Sequence, residues 1–185
     1  MKLIILDRDG VINQDSDDFV KSPDEWHPIS GSLEAIATLK DAGWTVAVAT
    51  NQSGIARGLF SMGTLDAIHQ TMHRALAEHK ATIDHLVWCP HGPDDLCSCR
   101  KPKPGLYHKI ANHLNCSLHN VPVVGDSLRD LDAAVEVGAQ PILVKTGKGL
   151  KSLSLGGLPA QTLVYDDLQS VVSALLSGRL QVQGA

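Results

Sequence analysis

Two aspartates, Asp7 and Asp9, stand two residues apart directly after the first apolar run, Leu3-Ile-Ile-Leu6. Carboxylates this close repel each other and resist desolvation unless a cation or a shared proton relieves them. The pair therefore calls for a hard divalent metal, and it offers a nucleophile beside a general acid/base. An isolated D-x-D is more often a charged turn behind a core strand, but further polar groups reverse that balance. Thr50-Asn51-Gln52-Ser53 closes a second apolar run and can aim a hydroxyl and amides at an anion. Gly125-Asp126-Ser127 closes a later run, with Asp130 behind it. Mg²⁺ takes about six oxygens and keeps several waters. Asp7, Asp126 and the carbonyl of Asp9 would hold it with room left for phosphate. The competing role for Asp126 and Asp130 is capping of the next helix.

Two clusters lie between these runs. Arg100-Lys101-Pro-Lys103-Pro-Gly105 puts three cations on a loop stiffened by prolines. Held over the acidic groups, Lys101 would neutralise a transferring phosphoryl group, and the Arg100 fork would hold a second phosphate. Cys89-Pro-His91 and Cys97-Ser-Cys99 place three thiols and an imidazole within eleven residues, a donor set for tetrahedral Zn²⁺. Four protein ligands leave no open position, so this zinc would staple a polar loop and keep Arg100 and Lys101 in place. Cys116 stands alone.

Something must carry these groups to one place. Apolar runs at Leu3–Leu6, Val46–Ala49, Ile83–Trp88, Val121–Val124, Ile142–Val144 and Leu163–Tyr165 are short and nearly continuous, as buried parallel strands are. Helical periodicities alternate with them: Leu33 to Leu39, Leu65 to Leu76, Tyr107 to Leu114, Leu131 to Val135 and Leu168 to Leu176. The alternation predicts an α/β fold, an open, mostly parallel doubly wound sheet. In such sheets ligands bind at the C-terminal strand edge. Val11–Ile29 and Cys89–Pro104 are irregular and should rise above that edge. Neither is long enough for a separate cap domain. Thr146–Pro159 reads as a surface loop.

The 185 residues fit one domain spanning 1–185, with a frayed tail after about 178. A hydrophobic fraction of 43% suffices for a full core. The net charge of -4 gives no global basic footprint for nucleic acid or an anionic membrane. No apolar stretch reaches transmembrane length, and Asp7 interrupts the N-terminal run too early for a signal peptide. The expected location is the cytoplasm, where metal or free thiol is favoured over disulfide. A phosphoryl-accepting signalling domain, or a zinc-containing nucleic-acid or protein binding module, could use part of these groups. Neither needs the whole set.

The motifs Asp7-Arg-Asp-Gly-Val-Ile-Asn13, Thr50-Asn-Gln-Ser-Gly-Ile-Ala-Arg57-Gly58, the Cys/His loop running into Arg-Lys-Pro, and Gly125-Asp-Ser-x-x-Asp130 resemble the haloacid dehalogenase superfamily. More narrowly, over about residues 1–176, they resemble its heptose 1,7-bisphosphate phosphatases. The resemblance implies Asp7 as nucleophile, Asp9 as acid/base, and Thr50 and Lys101 on the phosphoryl group. It implies Mg²⁺ on Asp7, Asp9 and Asp126, and Zn²⁺ on Cys89, His91, Cys97 and Cys99. Arg100 would recognise substrate, and Asp15–Asp18 would bind the sugar, so Asp15, Asp18, Asn51, Ser53 and Arg57 join the substrate-binding set. The implied reaction is removal of the C7 phosphate through an aspartyl-phosphate by a monomer, in lipopolysaccharide biosynthesis. Histidinol-phosphate phosphatases share the superfamily and the zinc-loop pattern. The Arg57-Gly58 continuation and the acidic Asp15–Asp18 segment resemble the heptose group more. The loop between His91 and Cys97 is short relative to some members of that group, which leaves the anomer preferred open.

Overall fold

The computed structural model describes residues 1–180 of the chain. Six strands form one sheet with every pairing parallel: β1 (Leu3–Leu6), β2 (Thr45–Asn51), β3 (His85–Cys89), β4 (Pro122–Gly125), β5 (Gln140–Val144) and β6 (Leu163–Tyr165). Their order across the sheet is β3-β2-β1-β4-β5-β6. The chain winds outward from β1 in one direction, then returns to β1 with β4 and winds the other way. That reversal opens a crevice beyond the ends of β1 and β4.

Alternation along β1 divides the core. Ile4 and Leu6 face a cluster with Leu33, Ile36 and Leu39 of α1 (Ser32–Asp41), Ile68 and Met72 of α2 (Met62–Glu78), and Val171 and Leu175 of α6 (Leu168–Leu176). Leu3 and Ile5 face the other layer, with Leu106 and Ile110 of α3 (Gly105–Leu114) and Ala133 and Ala134 of α4 (Leu128–Glu136). Each such fully buried aliphatic side chain stabilises the fold by roughly 1.5–3 kcal/mol. Both faces are covered at the inner strands β1, β2, β4 and β5, which is why these read as continuous apolar runs, while the edge strands β3 and β6 are half-buried or exposed.

Several boundaries differ from the sequence reading. β2 runs on through Thr50 and Asn51, and β3 starts at His85 and ends on Cys89. The stretch read as a surface loop, Thr146–Pro159, contains a helix, α5 (Gly149–Leu155). Only Gly149 and Ser152 of that helix are buried, so its apolar signal is too weak to read. Tertiary contact selects it: the Ser152 hydroxyl donates to the Asp126 carbonyl at 2.9 Å. Val135 was counted in an apolar helix face but is 48% exposed. Trp26, in the first irregular segment, is buried in the core. Of the tail expected to fray, Leu180 is buried, and residues 181–185 lie outside the described residues. Among the described residues no insertion folds into a cap.

Candidate active site

β1, β2 and β4 are neighbours, so their parallel ends bring Asp7, Asn51 and Asp126 together. The Asp7 N–H donates to Val124 of β4 at 2.9 Å, which locks this edge. Gly10 has φ +80°, and a Cβ there would overlap the Asp126 carboxylate. Glycine is therefore what lets the two acidic motifs close on each other.

Lys101 joins the cluster from the cationic loop and is only 2% exposed. Its Nζ lies 3.1 Å from Asp7 Oδ1 and 2.6 Å from Asp130 Oδ1, and donates to the Ala49 carbonyl at 2.7 Å. Asn51 fixes the lysine backbone: its amide accepts the Lys101 N–H and donates to the Lys101 carbonyl, both at 3.1 Å. The Asn51 amide was expected to face an anion; this geometry spends it on the lysine. Asp130 has two jobs. Its Oδ2 accepts from Ser127 N–H and Oγ as a helix-capping box, while Oδ1 faces Lys101.

The charges respond to this crowding. Burial raises the Asp7 carboxyl well above the usual carboxylate range, repulsion from Asp130, Asp126 and Asp9 adds to it, and Lys101 opposes it. Burial and then Asp130 push Asp126 up to about 7. Burial alone would lower Lys101, but Asp130 and Asp7 hold it above its ordinary value. Asp9 goes the other way. Its burial is outweighed by Arg8, Asn13 and Gln52, which hold it below its ordinary value.

Carboxylate oxygens of Asp7, Asp126 and Asp130 lie within 4.8 Å of one another. Octahedral Mg²⁺, with bonds of about 2.1 Å, sets its oxygen ligands about 3–4 Å apart, so this donor set suits it. Both Asp130 oxygens are engaged by Lys101 and Ser127, which leaves Asp7 and Asp126 as the carboxylates available to the ion. A pocket of about 240 Å³ opens above them, walled by Ser16, Asp17 and Phe19 on one side and Pro93 and Arg100 on the other. Both irregular segments thus rise over the strand edge as expected. A larger cavity, about 730 Å³, lies between α1 and α6. It holds no buried ionisable cluster, so size does not mark the site here.

The remaining sequence candidates divide. Thr50 is 1% exposed and does not border the open pocket; its hydroxyl accepts from Gln52 at 2.9 Å. Ser53, Arg57 and Arg100 border the pocket. Asp15 does too, ion-paired to Lys148 at 2.9 Å. Asp18 is exposed and lies off this pocket, and Asp17 takes the place expected for it. Three arginines, Arg57, Arg100 and Arg129, rim the opening, and none has a carboxylate partner among the described residues. Burial, and then repulsion from Arg129 and Arg57, lower the Arg100 pKa, a strain that a bound anion relieves.

The thiol loop is assembled as well. Cys89 Sγ lies 3.1 Å from Cys99 Sγ and 3.9 Å from Cys97 Sγ, and His91 Nδ1 lies 3.4 and 3.3 Å from Cys89 and Cys99. Tetrahedral Zn²⁺ spaces sulfur and nitrogen ligands about 3.3–3.8 Å apart, and all four cysteines of the chain are free. Burial, with the Cys99 thiol alongside, pushes Cys89 up to about 12, while the backbone hydrogen bond from Arg100 and the neighbouring thiols outweigh burial and hold Cys97 below its ordinary value.

Comparison with known proteins agrees with this geometry. A family model described as polynucleotide kinase 3 phosphatase matches residues 2–130, and one described as HAD-hydrolase-like matches 98–171. The D-glycero-beta-D-manno-heptose-1,7-bisphosphate 7-phosphatase of Bordetella bronchiseptica is 61% identical over 95% of this chain and 98% of its own. That of Pseudomonas putida is 56% identical over 95% of this chain and 100% of its own. The chain belongs to the heptose-1,7-bisphosphate 7-phosphatase family of HAD-like hydrolases. The crystal structure of the B. bronchiseptica D,D-heptose 1,7-bisphosphate phosphatase, complexed with magnesium and phosphate, superposes with TM-score 0.95, covering 96% of this chain and 99% of that one at 61% identity. The Burkholderia thailandensis phosphatase gives 0.77 at 48% identity, covering 96% and 99%.

Within this phosphatase family member, sequence reasoning missed Arg8, Asn13, Arg129 and Lys148, and the Gln52 amide it aimed at an anion donates instead to Asp9 Oδ2 and Thr50 Oγ1, each at 2.9 Å. Arg8 sits between the two aspartates, and its charge could have been read as their counter-ion. Lys148 donates its N–H to Asp126 at 2.8 Å from a glycine-flanked turn that had been read as plain loop. Nothing in the sequence around Arg129 placed it near Arg100.

Proposed function

We propose that the chain removes the C7 phosphate of D-glycero-beta-D-manno-heptose 1,7-bisphosphate through an aspartyl-phosphate on Asp7. The observation that carries this reading is the buried Asp7–Lys101–Asp130 chain beneath a pocket rimmed by three arginines that have no carboxylate partner among the described residues. A reacting phosphate would sit against Asp7 and Lys101, and the arginines would face the distal one. Histidinol phosphate has a single phosphate and would leave the rim unused. Magnesium, held by Asp7, Asp126 and the Asp9 carbonyl, would screen the carboxylates and polarise phosphoryl oxygens. The B. bronchiseptica relative, named with magnesium, supports that choice.

Asp7 attacks phosphorus in line, and Lys101 balances charge on the equatorial oxygens. An incoming dianion opposes the ionisation of Asp9, so Asp9 can carry a proton to the leaving sugar oxygen and then take one from water. Thr50 lies beneath the pocket and accepts from Gln52, and Asn51 keeps Lys101 in register. Asp15, Ser53 and Arg57 meet the sugar and its distal phosphate. Zn²⁺ on Cys89, His91, Cys97 and Cys99 would have no open position, so its work is to hold the Arg100–Lys101 loop. Among the described residues no helix is long and apolar enough to cross a membrane. The test is phosphate release with Mg²⁺ across sugar bisphosphates, sugar monophosphates and histidinol phosphate. Heptose 1,7-bisphosphate should give the highest kcat/KM. Faster turnover of histidinol phosphate would reassign the function.

A further inference from the structure

We propose that Arg8 is a positioning residue for Asp9, and that through it the site is fitted to phosphate esters with poor, alkoxide leaving groups. The inference rests on the reading of the chain as a phosphomonoesterase. Arg8 is fully buried, at 0% exposure. Its Nη2 lies 2.8 and 3.0 Å from the two Asp9 oxygens, and its Nε lies 3.1 Å from Oδ1. Unlike Arg57, Arg100 and Arg129, it does not border the pocket. It therefore cannot grip substrate, and Asp9 is its only carboxylate partner among the described residues.

The surroundings turn this pair into a clamp. Asn13 Nδ2 donates to Asp9 Oδ1 and Gln52 Nε2 to Oδ2, each at 2.9 Å. Both donors are buried, at 0% and 5% exposure, while the Asp9 side chain keeps 21% exposure and borders the pocket. The Arg8 carbonyl accepts the N–H groups of Ile12 and Asn13 at 2.8 and 3.1 Å. The turn that carries Asp9 is thereby wound around its own arginine. A guanidinium this deep is expensive, and an apolar residue would stabilise the same core position more simply. What the cation supplies is a fixed direction for one carboxylate, since a bidentate fork restrains both oxygens at once.

The step that needs this direction is the first one. The Asp7 oxygen forms a bond to phosphorus as the ester P–O bond breaks. The electron pair of that bond moves to the sugar oxygen, which takes the proton of the Asp9 carboxyl. Asp9 is left as a carboxylate, and Arg8 is in place to receive that charge. An alkoxide leaves poorly without the proton. A p-nitrophenolate leaves without help, so an aryl ester does not depend on where Asp9 points.

The test is kcat/KM for Arg8→Met, Arg8→Lys, Asp9→Asn and the R8M/D9N double variant on two esters. One is p-nitrophenyl phosphate. The other is whichever sugar phosphate the wild type hydrolyses fastest, so an error in the assigned sugar does not decide the outcome. kcat/KM ends at phosphoryl transfer to Asp7 and so excludes the later water step. R8M should lose roughly 10- to 100-fold on the sugar ester, the range of a displaced general acid, and about threefold or less on the aryl ester. R8K keeps the charge but loses the fork, and should show a smaller loss with the same bias. In the D9N background R8M should add nothing, because the two act as one unit. Equal losses on both esters, or a full additional loss in D9N, would overturn the proposal. Should R8M not fold, the R8K ratio decides by the same criterion.

Discussion

The acidic pocket and the thiol loop both crowd like groups, yet only the pocket carries its own cation. Asp7, Asp126 and Asp130 converge, and Lys101 is buried among them, ion-paired to two of the three. Cys89, Cys97, Cys99 and His91 converge as tightly, with no built-in positive charge inside the set. The lysine belongs to the chain, so the acidic pocket is part of the folded state before any metal binds. The thiol cluster gains comparable cohesion only when a metal binds it. The two are coupled by adjacency, because Cys99, Arg100 and Lys101 are consecutive. One site can thus depend structurally on the other without sharing a ligand.

The sharpest way to break this contrast is at the nucleophile. Asp7→Asn should lower turnover at least about 1000-fold and leave the fold intact, since it removes a charge that Asp126 and Asp130 repel. Pure protein retaining a tenth of wild-type turnover would exclude covalent catalysis on Asp7. Next is the internal cation. Lys101→Met should cost roughly 100- to 1000-fold on every substrate alike. It should also destabilise the chain by about 3–5 kcal/mol, because two buried carboxylates lose their partner. Urea denaturation that shows no loss would mean that the pocket does not depend on its lysine.

A third measurement separates the loop's two cations. Arg100→Ala should reduce kcat/KM about 30- to 1000-fold for a sugar 1,7-bisphosphate and far less for p-nitrophenyl phosphate. Equal losses would remove Arg100 from recognition of the distal phosphate. The smallest effect concerns the thiol loop. Protein purified without added metal should carry one equivalent of Zn²⁺ by elemental analysis. Its removal should lower activity only about 10- to 100-fold, through loosening of Arg100 and Lys101. Less than half an equivalent, with all the loop thiols open to alkylation, would mean that the loop is held by contacts other than metal.

Legibility in the sequence followed how local each signal is. The inner strands β1, β2, β4 and β5 were visible because both faces of the sheet are covered there, which turns each into an apolar run, whereas the edge strands β3 and β6 are apolar but half-buried or exposed. Helix α5 was not, because its order comes from Ser152 reaching the Asp126 carbonyl rather than from any apolar face. The carboxylates, Lys101 and the Cys/His set were visible as types and spacings. Asp18 was placed in the pocket because neighbours in sequence are hard to tell apart without backbone direction, and Asp17 points there instead.

By itself the sequence determined the alternation of strands and helices, the chemistry available at each strand end, and the donor sets for two different metals. These are properties of residue type and short spacing. Only the tertiary structure decided which groups are spent on one another. It gave the Asn51 amide to the Lys101 backbone and both Asp130 oxygens to Ser127 and Lys101. It also wrapped the Arg8 fork around Asp9 and left Arg57, Arg100 and Arg129 at one rim with no carboxylate partner among the described residues. The reason is physical. Whether a charge is free for substrate depends on which partners lie within about 3 Å after folding, and those partners come from strands and loops far apart in the chain.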